Sequence, residues 1–217
     1  MSGLVARVGL VSAVFLWIAG GGERPPDVPR RGEWLEKEIA LGKAMAAQIE
    51  RQTPMDADPG TGAYVRQLGE RLARASATDL PLTIQVTSSQ EPYAIVLAGG
   101  FLYLSAGLIT SLETEAELAG LMAHAVAHMA AHHGRRLAAF SQPPDSAVPI
   151  VFLGSWGGIC TRLGSGSAAP VAWRRFARAF EDEADWLALE YLYQTEYDPR
   201  GLISGFQRLS PARAYEA

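Results

Sequence analysis

ELAGLMAHAVAHMAAHHGRR, residues 117–136, holds all four histidines of the chain within ten positions. At 3.6 residues per turn, His124, His128 and His132 stack along one helix face, and His133 points about a quarter turn away. Two imidazoles at i and i+4 can converge on one ion, each nitrogen about 2.0–2.1 Å from a zinc. Such pairs also occur on helices that bind nothing, so a site needs a third ligand from elsewhere. EDEAD, residues 181–185, offers Glu181, Asp182, Glu183 and Asp185. Glu181 and Asp185 are four apart and share a face. With that face packed on the histidine helix, Glu181 would ligate. Asp185 would hydrogen-bond a histidine's free N–H and set its tautomer. The same acidic run also reads as a solvated helix face.

Outward from these two segments the chain alternates helix and strand signals. Residues 33–52 read as a helix, with Leu35, Ile39, Met45 and Ile49 at turn spacing. Residues 53–62 read as a loop of breakers, followed by an amphipathic helix over 63–76 that carries Val65, Leu68 and Leu72. LTIQVTSS (82–89) alternates like a half-buried strand. In YAIVLAGGFLYLSAGLI (93–109), two apolar runs meet at Gly99-Gly100, a tight β-connection. An edge strand of this hairpin, over 94–105, would offer unpaired backbone groups to an extended polypeptide. Thr114 and Glu117 have the spacing of a capping box for the histidine helix, which is expected to run to about Phe140. The apolar, Gly- and Ser-rich segment 147–172 reads as a mobile lid, a membrane-touching loop or an irregular insert. A helix over 173–195 carries EDEAD, YDP (197–199) breaks it, and a helix of about ten residues follows.

The 217 residues suffice for one sizeable core, and a net charge of −4 gives no basic footprint for nucleic acid. The one cysteine, Cys160, excludes an intrachain disulfide framework and any cysteine-rich zinc module, and its Gly-rich setting reads as inert. At the N-terminus, Arg7 precedes an apolar run from Val8 to Ala19, then small residues. That is the pattern of a secretory signal with a cleavage site near Ala19-Gly20-Gly21. Counted from residue 4, the run through 19 also fits a membrane anchor, and a buried N-terminal helix is the bland alternative. No cysteine follows the run, so a lipoprotein anchor is not expected. The organisation expected is a signal peptide or anchor over 1–21, a linker over 22–32 and one domain over 33–217.

Several ordered blocks resemble the HtpX-type, or CaaX-prenyl-protease-like, family of zinc metallopeptidases, most closely its secreted bacterial branch. EIALGKAMAAQIERQ and DPGTGAYVRQLGERLA resemble its N-terminal helices, and YAIVLAGGFLYLSAGLI its turn and Gly-Leu helix start. ELAGLMAHAVAHMAAHHG resembles its HExxH helix, with His133 at the usual downstream histidine. RAFEDEADWLALEYLYQTEYDP resembles its third-ligand helix. The likeness spans about residues 33–207. It implies an α+β, mainly helical, zincin-like metallopeptidase domain, with a small β-sheet or hairpin packed on the HxxxH helix. It implies zinc (Zn2+) held by His124, His128 and Glu181, with Asp185 supporting and Arg178 three residues before the ligand. It also implies a polypeptide substrate or client and a place in the periplasm or cell envelope, with residues 4–19 or 147–172 as the segments that would touch a membrane.

The family's general base falls on Ala125, which cannot accept a proton. The expectation is therefore a zinc site with impaired hydrolysis, and Glu183, on another helix face from Glu181, is not expected to replace the base. Tyr93, Ala98, Ala188, Thr195 and Glu196 also depart from the family's Asn, Pro, Gly and Ala-Gly. Scattered departures of this kind look like natural drift, whereas a laboratory substitution would alter position 125 alone. Two other readings remain: an active zinc metalloendopeptidase inactivated by an engineered Glu-to-Ala change at 125, and a metal-free helical interaction protein.

Overall fold

The computed structural model describes residues 31–56, 58–138, 151–154 and 171–209. The expected signal or anchor, most of the linker, Cys160 and most of 147–172 lie outside the described residues. The chain divides into two compact units, Met1–Trp34 and Leu35–Ala217. Among the described residues the first contributes only the opening turn of a helix. The second carries the fold and the site.

Helix α1 spans Arg31–Gln52, so it begins inside the segment expected as linker. Helix α2 spans Pro59–Ser76, four residues earlier than expected. The Asp-Pro pair that reads as a breaker is the helix start. The Asp58 carboxylate accepts from the N–H groups of Gly60 and Thr61, and Pro59 takes the first helical position, where its missing N–H costs nothing. Leu68 and Leu72 of this helix are buried in the main core.

Three strands lie close to their expected places: β1 Thr83–Thr87, β2 Tyr93–Leu97 and β3 Phe101–Ser105. A fourth, β4 Val151–Gly154, falls in the segment read as lid or insert. The sheet order is β1-β3-β2-β4. β2 and β3 form an antiparallel hairpin; β1 runs parallel to β3, and β4 antiparallel to β2. The hairpin turns at Gly99 and Gly100, whose φ values of 72° and 90° favour glycine. Both long edges of the hairpin are taken by β1 and β4, which corrects the expectation of an open edge on 94–105. Tyr93, where the family favours Asn, is buried, and its hydroxyl pairs with that of Thr87 at 2.6 Å.

A short helix, α3 Ala106–Ser111, leads to α4, Glu115–Ala130. The capping box forms as expected: Thr114 accepts from the Glu117 N–H, and the Glu117 carboxylate accepts from Thr114 N–H. Every residue of α4 from Glu117 to Met129 is buried. It packs on α2, on the sheet, and on two C-terminal helices, α6 Val171–Gln194 and α7 Arg200–Leu209. A Cβ on Gly120 would lie 2.6 Å from the Leu202 backbone, so the glycine permits the close α4–α7 crossing. No helix among the described residues is long and apolar enough to cross a membrane.

Helix α4 stops ten residues short of the expected end. His132 takes a left-handed conformation (φ 51°), and a separate helix, α5, spans His133–Ala138. The strain at His132, about 1–2 kcal/mol for a residue with a Cβ, is opposed by contacts on both sides of its ring. Nδ1 lies 3.2 Å from Glu38 of α1, and Nε2 lies 3.4 Å from Asp79. Another left-handed residue, Glu196, closes α6. Tyr197 N–H donates to Leu192 O and Glu196 N–H to Tyr193 O, a Schellman motif with glutamate where glycine is preferred.

Two stability changes of opposite sign are expected in denaturant unfolding. Glu196→Gly relieves the left-handed Cβ and should stabilise by up to about 1 kcal/mol. Gly120→Ala should destabilise by about 1–3 kcal/mol, because the new methyl meets backbone rather than a flexible side chain.

Candidate metal centre

His124 and His128 project from the buried face of α4 that meets α6, and both imidazoles are almost wholly shielded from water. Their Nε2 atoms lie 2.9 Å apart. Glu181 Oε2 from α6 stands 3.2 Å from the first and 3.5 Å from the second. A tetrahedral zinc with bonds of about 2.0–2.1 Å sets neighbouring ligand atoms about 3.3–3.4 Å apart, so the three donors already sit near such a geometry. Two histidines and one carboxylate are a donor set found in catalytic zinc centres. Within the described residues these three are the group positioned to hold a metal ion.

Asp185, one turn beyond Glu181, faces the other nitrogen of the first ring: its Oδ1 lies 2.9 Å from His124 Nδ1. The proton therefore sits on Nδ1 and donates to the carboxylate, leaving the Nε2 lone pair aimed at the centre. The Phe206 ring of α7 meets His124 edge-on at 5.1 Å. Glu181 and Asp185 keep side-chain exposures of 47% and 52%, so the centre opens to solvent on the α6 side while α4 closes it beneath.

Charge is unevenly shared across the site. Burial works against a charged His124, yet hydrogen bonds to Asp185 and Glu181 raise its pKa overall. Burial dominates at His128 and lowers it. Burial also opposes the ionised Glu181, but the two histidines outweigh it and hold the carboxylate well below the usual range. Three electron-pair donors facing one another need a cation between them. Here a proton on His124 can fill that role, and a metal would displace it.

The sequence reading of His132 and His133 is reversed in the fold. His132 leaves the stacked face, and His133 turns inward. His133 is fully buried, with Nδ1 2.9 Å from His128 Nδ1 and Nε2 3.2 Å from Glu183. Phe180 stacks on its ring at 4.6 Å, and Arg136 donates to the same Glu183 oxygen at 2.8 Å. Burial and the neighbouring His128 pull His133 down to about 4. Nothing in the spacing alone pointed to this pair. Arg178 lies exposed on α6. Ala125, where the resemblance places a general base, is fully buried within the apolar core.

Residues 59–212 match the profile of peptidase family M48. The chain belongs to peptidase family M48. It is 25% identical over 193 residues to the β-barrel assembly-enhancing protease of Yersinia pestis, covering 83% of this chain and 39% of that protein. It is 26% identical over 191 residues to the putative β-barrel assembly-enhancing protease of Vibrio cholerae, with the same two coverages. It is 29% identical over 159 residues to the mitochondrial metalloendopeptidase OMA1 of Schizosaccharomyces pombe, covering 70% of this chain and 45% of that one. The chain thus spans 39% of the bacterial relatives' length. This M48 chain is a metalloprotease-like protein, and its three donors are placed as a metal site requires.

The metal-free protein should lose stability as pH falls from about 6.5 toward 4. His133 stays neutral when folded but titrates near 6.5 when unfolded, so in that window the unfolded chain binds the extra proton. The depressed His128 acts in the same sense, and the raised His124 opposes both. Urea unfolding in chelator at several pH values measures the slope, and His133→Asn should flatten it.

Proposed function

We propose that this chain is a zinc-binding M48 protein with impaired peptide hydrolysis that engages extended or misfolded polypeptide in the periplasm or cell envelope. The observation that carries this is the meeting of His124 Nε2, His128 Nε2 and Glu181 Oε2 beside a buried alanine at 125. When bound by such a set, zinc polarises a carbonyl and lowers the pKa of a bound water toward about 7. His124 and His128 would hold it through Nε2, Glu181 through Oε2, and Asp185 would keep the His124 proton on Nδ1. Hydrolysis then needs a group that takes the water's proton and returns it to the leaving amine. The methyl of Ala125 does neither.

The carboxylates of α6 that reach the histidines are already committed. Glu181 faces both Nε2 atoms, Asp185 holds His124, and Glu183 pairs with His133 and Arg136. A positioned acid/base group contributes roughly 10²–10⁴ in rate, about 3–5 kcal/mol of barrier. Two of the other family departures have settled into structural roles, Tyr93 with Thr87 and Ala188 in the core. That supports natural drift over a single engineered change. The envelope location rests on the signal-like residues 1–21 and on the bacterial relatives, and the polypeptide ligand on those relatives being proteases by name.

Purified protein is expected to hold one zinc per chain by elemental analysis and to leave an unfolded protein substrate uncut. His124→Ala with His128→Ala should abolish the zinc. Ala125→Glu alone should stay silent, because a carboxylate introduced into this apolar contact is costly to bury unpaired. Zinc-free protein would overturn the metal reading, robust turnover the impaired one, and recovery in Ala125→Glu the drift.

A further inference from the structure

The site explains what holds His124 in place, through Asp185, but leaves open what holds His128. We propose that His133, fixed by Glu183 and Arg136, is the positioning residue for His128: it accepts the His128 Nδ1 proton and so aims the His128 Nε2 lone pair at the metal centre. This rests on the zinc reading above for its purpose, but its geometry stands independently.

The proton placement follows from the partners in sequence. Arg136 donates to Glu183 Oε2 at 2.8 Å, and a carboxylate can only accept. Glu183 Oε2 lies 3.2 Å from His133 Nε2, so that nitrogen carries the proton. The opposite tautomer would set a lone pair against a carboxylate oxygen. His133 Nδ1 is therefore an acceptor, and its 2.9 Å partner, His128 Nδ1, must donate. His128 is left with a bare Nε2, the atom 2.9 Å from His124 Nε2 and 3.5 Å from Glu181. Every link thus demands one orientation, from an exposed-side arginine to a buried ligand nitrogen.

The fold builds this relay deliberately. The left-handed turn at His132 brings His133 back over the end of α4 instead of leaving it on the helix side. Phe180 stacks on its ring, and Arg136 covers the other part of Phe180 at 4.4 Å, so ring and guanidinium share one support. Glu181 and Glu183 divide the work of α6: one faces the metal centre, the other the end of the relay. The two histidines of the site are then each backed by a carboxylate of α6, His124 directly and His128 through a second imidazole.

The test uses the full chain and two measurements. Zinc affinity is read by competition with a chromophoric chelator. The His128 tautomer is read by long-range ¹⁵N–¹H spectra of the metal-free protein at pH 7.5. The parent should show His128 protonated on Nδ1. His133→Phe keeps the ring packing on Phe180 but cannot accept, and should bind zinc about 10–100-fold more weakly with the His128 proton moved to Nε2. His133→Asn restores an acceptor oxygen and should recover most of the affinity. Unchanged affinity and tautomer in His133→Phe would overturn the proposal. Should that variant not fold, Glu183→Ala, on the half-exposed side of α6, is judged by the same two measurements. A parent that binds no zinc yet shows the Nδ1 tautomer rejects the zinc reading and retains the positioning role; a zinc-binding parent with His128 protonated on Nε2 does the reverse.

Discussion

Two imidazoles buried on one helix must find polar partners from outside it, because an unpaired polar group in an apolar core costs several kcal/mol. Helix α4 is buried from Glu117 to Met129, so the partners must come from the elements packed on it. Helix α6 supplies what is missing. Asp185 pairs with His124, Glu181 faces both Nε2 atoms, and Glu183 reaches His133. The packing of α6 on α4 is therefore a matter of polar pairing as much as apolar contact, and the site and the core share one interface.

The remaining elements serve that interface. The sheet lies along α4 with β2 and β4 nearest, α2 packs on it near Met122, and α7 crosses closely at Gly120. Arg208 of α7 pairs with the buried Glu117 at 2.7 Å, tying the capped start of α4 to the last described helix. At the other end, the left-handed His132 stops α4 and is gripped by Glu38 and Asp79. The candidate metal centre lies between two ends of one helix that are each met by carboxylates or a guanidinium from other elements.

A metal-ligand set and a general base are chemically separable. A ligand set is maintained by mutual geometry among groups that also satisfy one another as hydrogen-bond partners, so removing one member would strand others. A general base at 125 would have no such structural obligation, and alanine there simply joins the core. Membership of family M48 fixes the architecture, while the chemistry a site completes depends on the residues placed in it.

Local rules settled much of this in the chain itself. The i, i+4 spacing of His124 and His128, the matching pair Glu181 and Asp185, the Thr114–Glu117 capping box and the Gly99-Gly100 turn all depend on neighbours a few residues apart. Their geometry follows from helix and turn periodicity alone. What spacing could not decide is which nitrogen of each ring faces the centre, or that Glu183 pairs with a second imidazole. Nor could it place β4 against β2, or turn His133 inward. Those pairings join residues about fifty or more apart in the chain, such as His133 with Glu183 and Ile95 with Phe152. The placement of His133 follows a left-handed backbone at His132, for which no residue pattern stands as a sign. Tertiary packing decides them, since only when α6 lies on α4 does burial make every ring proton find a partner.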